Sequence, residues 1–219
     1  MKETTGFLMS PQKIAQQLQA NLPPEFDVES ARFLLSEQYK APLKILSALE
    51  KSGYLIRIKR GLYTFTQNLD RLALAGSLHG PSYVSFETAL SFYGLIPERV
   101  EAVMSVVDGH PIKFETPVGQ YLYISQSRKL FALGMGMVTR GERAFLIATK
   151  EKALLDTASR AQLKTKNLTN QEVLDFVIQG LRVESDSLKE LSIEKMKGMA
   201  ILYRNLAPRK LVAAIESLK

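Results

Sequence analysis

Apolar positions along this chain fall first into helical spacing, then into a hairpin, then into a longer mixture of strands and helices. Ser10 stands before Pro11, and Ile14, Ala15 and Leu18 share one side of the helix this pair opens. Asn21-Leu22-Pro23-Pro24 breaks it. A second helix is predicted over Val28 to Leu35, with Ala31, Leu34 and Leu35 turned inward. A third starts at Pro42, where a missing N–H has no partner to lose. Pro42, Ile45, Leu46 and Leu49 mark its apolar face at i, i+3, i+4, i+7, while Lys44, Ser47, Ala48 and Lys51 take the other. Gly53 can adopt the left-handed conformation that ends a helix. Tyr54–Ile58 and Leu62–Phe65 are β-branched and aromatic enough to pair as strands, with Lys59-Arg60-Gly61 as the turn.

Gln67-Asn68 reads as a join, Leu69–Leu78 as a linking helix and His79-Gly80-Pro81 as a break. Ser85 is placed to cap a helix in which Glu87 faces the positive end and Phe86, Ala89, Leu90 and Tyr93 share a face. Gly94 and Pro97 close it. Strands are predicted over Ala102–Val107, Ile112–Thr116, Tyr121–Ser125 and Arg143–Ala148, the last followed by a helix capped by Thr149. The remainder reads as helical. Asn170 precedes one helix, Ser187 and Glu190 form a capping box for the next, and Pro208 starts the last. The expectation is an α+β protein: a winged helix-turn-helix over residues 1–66, then a C-terminal α/β domain over 67–219 with a small mixed sheet and a helical C-terminus.

Charge changes what the first of these domains is for. From Lys40 to Arg60 there are six basic residues against one acid, Glu50, which is +5 of the whole-chain +7. Helix-plus-hairpin units also occur in many small α/β domains, and outward lysines are usually just solvated. A cluster this one-sided is nonetheless the electrostatic footprint of a nucleic-acid contact. A second basic cluster, Lys195, Lys197, Arg204, Arg209, Lys210 and Lys219 against Glu216, is less focused. At 46% hydrophobic and 23% charged, 219 residues can bury a proper core. The absence of cysteine removes disulfides, thiolate metal sites and a catalytic thiol. No signal-like apolar run stands in MKETTGFLMS, and no stretch approaches the ~18 apolar residues of a transmembrane helix. A cytoplasmic protein with no membrane partner is expected.

Three blocks in this order resemble the AbiEi-type antitoxins of bacterial abortive-infection toxin–antitoxin systems. They are Ile58-Lys59-Arg60-Gly61-Leu62-Tyr63; Tyr83-Val84-Ser85-Phe86-Glu87-Thr88-Ala89-Leu90 with Tyr93-Gly94-Leu95-Ile96-Pro97; and Ala148-Thr149-Lys150-Glu151-Lys152-Ala153-Leu154-Leu155-Asp156. The first block is common to many winged helices, and the other two at this spacing are more particular. Together they cover roughly residues 40–160. The resemblance implies an N-terminal winged helix that binds inverted repeats in the protein's own promoter and represses the operon. It also implies a C-terminal domain that opposes a nucleotidyltransferase-like toxin encoded alongside, with or without a stable complex. No catalytic activity is established for such antitoxins, and none is carried over.

The residues themselves assign roles within the DNA reading. Lys40, Lys51, Arg57 and Lys59 suit phosphates, which give affinity without sequence information. Lys44 and Ser47, outward on the third helix, suit base edges in the major groove. Arg60 at the hairpin tip suits a minor groove. Arg128, Lys129, Arg140 and Arg143, on or near predicted strand ends, are the candidates for opposing a toxin. Phe86, Tyr93 and the Gly-Leu-Ile-Pro run could line a pocket, but a helix packed on a sheet needs the same residues. Gly134-Met135-Gly136 is too short for a dinucleotide fingerprint, and Thr149-Lys150-Glu151-Lys152 lacks a glycine-rich loop before it. His79 and His110 have no third ligand in view, so neither a metal nor another cofactor is expected. No nucleophile–base pattern or paired carboxylates argue for an enzyme. Two other functions stay open: a transcription regulator whose residues 80–219 sense a small molecule, and an RNA-binding accessory using Tyr54 and Tyr63 for stacking.

Overall fold

The computed structural model describes residues 9–141, 143–163 and 167–219. Among them the protein is a mixture of α and β, with eleven α-helices, a three-stranded sheet and a six-stranded sheet. The chain divides into two compact units. One ends at Asp70 and takes in residues 116–118; the other holds 71–115 and 119–219.

The first unit runs α1 (Pro11–Asn21), β1 (Glu25–Asp27), α2 (Val28–Ser36), α3 (Pro42–Lys51), β2 (Ile56–Lys59) and β3 (Leu62–Thr64). Each helix start has a local cause. The Ser10 hydroxyl accepts from the Lys13 N–H at 3.4 Å, and the Asp27 carboxylate accepts from the Ser30 N–H at 2.7 Å. That second bond holds the Asp27 carboxyl below its ordinary range. Pro42 opens α3 without any side-chain cap. Gly53 and Gly61, at φ 76° and 83°, make the turns that end α3 and join β2 to β3. Ile14, Leu18, Ala31, Leu35, Ile45, Leu46 and Leu49 from the three helices meet Phe26, Leu55 and Tyr63 in one core. Leu34, predicted inward, is only half-buried against it.

Strand β1 was not expected. Glu25-Phe26-Asp27 has too few apolar residues to announce a strand, and it forms because its backbone pairs with β3 antiparallel, Phe26 opposite Tyr63. The sheet order is β1-β3-β2, so β3 is the middle strand.

The second unit contains α4 (Arg71–Leu78), β4 (Ser82–Val84), α5 (Phe86–Phe92), β5 (Val103–Val107), β6 (Ile112–Thr116), β7 (Gly119–Ser125), α6 (Arg128–Phe131), β8 (Met135–Arg140), β9 (Arg143–Ala148) and α7 (Lys150–Arg160). Then come α8 (Asn170–Asp175), which continues as a π-helical turn over Phe176–Gly180, α9 (Ser185–Lys189), α10 (Ile193–Ala200) and α11 (Ala207–Glu216). The sheet order is β6-β7-β5-β4-β9-β8. It is mixed: β4 runs parallel to β9 and antiparallel to β5, and β5 runs parallel to β7. Strands β4 and β8 are additions to the predicted set, one only three residues long, the other reading Met-Gly-Met-Val-Thr-Arg with little alternation.

One predicted helix start is displaced. Ser187 lies inside α9, whose capping position is Glu184, so the Ser187–Glu190 box does not form. The capping box stands instead at Thr169 and Glu172, where the threonine hydroxyl accepts from the Glu172 N–H at 3.1 Å and the Thr169 N–H donates to the Glu172 carboxylate at 2.8 Å. Asn170 is therefore the first residue of α8, not its cap.

Candidate nucleic-acid interface

Helix α3 shows a sharp division. Ile45, Leu46 and Leu49 are buried, with Pro42 half-buried beside them. At about 100° per residue, Leu43, Ser47, Lys51 and Lys44 fall within an arc of about 100° on the opposite side, and all four are exposed. Ala48, predicted on this face, is half-buried at its margin. Lys40 is exposed just ahead of the helix.

The hairpin separates its basic residues by strand register. Arg57 lies directly opposite Tyr63, so its side chain emerges on the face of the sheet that Tyr63 presents to the helices. On an edge strand it is exposed there. A bulge follows, and Lys59 pairs with Leu62, which turns it to the other face. Lys59 is half-buried and engaged in an interaction of its own. Arg60 is exposed at the turn, whose Gly61 carbonyl accepts from the Val28 N–H at 2.9 Å. Of the seven residues predicted at a DNA contact, six are exposed (Lys40, Lys44, Ser47, Lys51, Arg57 and Arg60) and Lys59 is not. Tyr63 is buried and stacked on Phe26 at 6.2 Å between ring centroids, which removes it as a base-stacking platform; Tyr54 stays partly exposed.

The second unit holds a polar cluster of a different kind, in which Ser85, Lys152 and Asp156 of the two more particular sequence blocks meet Gln126 and Tyr203 from outside them. Lys152 and Asp156 lie one turn apart on α7, and both are fully buried. Four donors converge on Asp156: the Lys152 ammonium, the Gln126 amide at 2.5 Å, the Tyr203 hydroxyl and the Ser85 hydroxyl at 2.6 Å. Lys152 donates in addition to the Gln126 carbonyl oxygen at 2.8 Å and to the Tyr203 oxygen at 3.1 Å. Its Nζ also lies 5.8 Å from the Tyr83 ring centre and 5.4 Å from that of Tyr203, within cation–π range. Burial lowers the Lys152 pKa, and the adjacent Asp156 carboxylate works against that shift. Burial raises the Tyr203 hydroxyl above its ordinary value, and the same carboxylate adds to it.

The sequence marks Ser85 as an ordinary helix cap. It does occupy the capping position of α5, but its hydroxyl makes no cap bond and is spent on Asp156. Phe86 next to it takes φ 56°, an unusual backbone for a bulky side chain and a strain of about 1–3 kcal/mol. Thr149, by contrast, caps α7 as predicted, accepting from the Lys152 N–H at 3.3 Å. Gly134 has a packing role: at φ 66°, an added Cβ would stand 2.8 Å from the Lys152 Cβ and 2.6 Å from the Met199 sulfur. Lys152 is four residues from Asp156, but the other three partners lie 71, 30 and 47 residues away in sequence, beyond the reach of any local motif.

The four residues predicted to oppose a toxin are not brought together. Arg128 and Lys129 sit in α6, where Arg128 pairs with Asp108 at 3.4 Å on the surface. Arg140 and Arg143 face each other across the β8–β9 turn, and the Arg140 guanidinium lies 5.8 Å from the Phe145 ring centre. Five residue steps along β8, ~17 Å at a strand's rise, separate Arg140 from the end of β8 that follows α6. Among the described residues no group of acidic, histidine or cysteine side chains is arranged to hold a metal ion, and no helix is long and apolar enough to cross a membrane.

No family model matches the chain, and no curated protein matches it.

Proposed function

We propose that the first unit is a winged helix-turn-helix that binds duplex DNA, with α3 as its recognition helix and the β2–β3 turn as a short wing. The observation that carries this reading is the outward stripe of α3: it pairs Lys44 and Lys51 with Ser47 opposite a fully apolar inner face, and Lys40, Arg57 and Arg60 extend the positive charge around it. Lys44 and Ser47 reach base edges, while Lys40, Lys51 and Arg57 hold phosphates and Arg60 enters the neighbouring minor groove. Lys59 drops out of the phosphate set because it faces away and is already engaged.

On the resemblance of the three sequence blocks, the chain acts as an AbiEi-type antitoxin: it represses its own operon through the winged helix and opposes a nucleotidyltransferase-like toxin through residues 71–219. The test is a gel-shift series with the DNA upstream of its own gene, joined to co-expression with the product of the adjacent gene. Retarded duplex and rescue from toxicity are expected. A duplex that is not shifted at low salt removes the repressor, and growth arrest undiminished by the full chain removes the antitoxin.

A second reading, a regulator whose C-terminal unit senses a small molecule, is favoured by one observation. A recess of about 550 Å³, lined by Ser125, Gln126, Ser127, Tyr203, Arg204 and Asn205 among others, shares Gln126 and Tyr203 with the Asp156 cluster. The neighbouring gene separates the two readings: a nucleotidyltransferase-like toxin supports the first and a metabolic operon the second.

A further inference from the structure

Leu43 is out of place for a leucine. It is the second residue of α3 and is 56% exposed, on the same outward stripe as Lys44, Ser47 and Lys51. A single exposed leucine is ordinary on a protein surface; its position is what gives this one meaning. The N-terminal residues of a recognition helix are the ones that reach base edges. Leu43 stands one helical turn before Ser47, so the two side chains are neighbours on the face that would enter the groove. Pro42 pins the start of that turn.

In the major groove, the C5-methyl of thymine is the one apolar group that a base pair displays, and small or apolar side chains are what read it. Lys44 beside it supplies the donor that suits guanine O6 and N7. We infer that Leu43 is a specificity-determining residue that packs on a thymine methyl, so that the preferred half-site carries a thymine beside the guanine read by Lys44. This rests on the DNA reading above. It goes further by assigning base discrimination to an apolar side chain that charge counting passes over.

The experiment uses the full chain. A duplex is enriched from a randomised library, and each of its thymines is then replaced in turn by deoxyuridine, which removes only the methyl group. Affinity is read by fluorescence anisotropy for the wild type and for Leu43→Ala. The wild type is expected to lose about fourfold at one thymine per half-site, the weight of one buried methyl group. Leu43→Ala is expected to bind the thymine and deoxyuridine duplexes alike, with an unchanged melting temperature, because alanine is the best helix former and the side chain is exposed. Retention of the thymine preference by Leu43→Ala, or wild-type indifference to every deoxyuridine in a duplex it still binds, overturns the inference and leaves the DNA reading intact. Failure to enrich any duplex overturns both.

Discussion

Two sets of charged side chains in this protein meet opposite physical conditions. On α3 and the following hairpin, Lys40, Lys44, Lys51, Arg57 and Arg60 stand exposed to water, with Glu50 the one acid in that stretch of sequence. In the second unit, Lys152 and Asp156 are fully enclosed, and every donor of the ammonium is placed on an oxygen. Exposed charge is cheap to keep and cheap to remove, so its presence in a cluster argues for a partner. Buried charge is expensive to desolvate and far more expensive to leave unpaired. Here that charge acts as a latch, tying α7 to the start of α5, the end of β7 and the loop before α11. The more distinctive pair of sequence blocks thus marks a structural joint, while the plainer segment carries the candidate interface.

The largest expected effect follows from breaking the latch on one side. Asp156→Ala leaves the Lys152 ammonium buried without its carboxylate, and is expected to destabilise the protein by about 3–5 kcal/mol. The double substitution Lys152→Met with Asp156→Leu is expected to cost less than Asp156→Ala alone, because neither charge is then stranded. Urea unfolding of the three proteins measures this, and a double variant no better than the single contradicts the latch. Gly134→Ala comes next, at about 2 kcal/mol, since the new methyl meets the Lys152 stem in a left-handed backbone.

A smaller effect belongs to the first unit. Asp27→Ala removes the cap of α2 and is expected to cost about 1 kcal/mol near neutral pH. The folded carboxyl has a lowered pKa, so its contribution is fully present above the unfolded value of about 3.9 and is lost as pH falls through the folded one. The stability difference between wild type and Asp27→Ala should therefore vanish in acid. A difference that persists unchanged at low pH rules out the carboxylate as its source. The smallest effect on stability, within about 0.5 kcal/mol, is expected for Lys44→Ala or Arg60→Ala, and these same changes are expected to weaken DNA binding several-fold or more.

How much of this was legible depended on whether the cause was local. Helices α1 and α3 announced themselves through a capping serine or an opening proline and an apolar stripe, and the fold keeps both. Strand β1 did not, because a three-residue strand with two acids exists only through its pairing with β3. The Ser187–Glu190 match had the right letters in the wrong place, whereas Thr169–Glu172 had the real geometry. Lys59 looked like its neighbours until a bulge turned it to the other face. Leu43 falls at an outward angle of α3, yet the degree of its exposure is fixed only by how the helix sits on its core. The Asp156 cluster was beyond reach, since Ser85, Gln126, Tyr203 and the α7 pair come from four segments spread over more than a hundred residues.

The central claim is that the exposed cations around α3 bind duplex DNA, and the salt dependence of binding tests it most directly. With phosphates neutralised by Lys40, Lys51 and Arg57, the plot of log affinity against log salt is expected to have a slope of roughly −3, and Lys51→Ala with Arg57→Ala should flatten it by about 2 at an unchanged melting temperature. A wild-type chain that fails to bind duplex at roughly 50 mM salt, or a slope that the double substitution leaves untouched, contradicts the account.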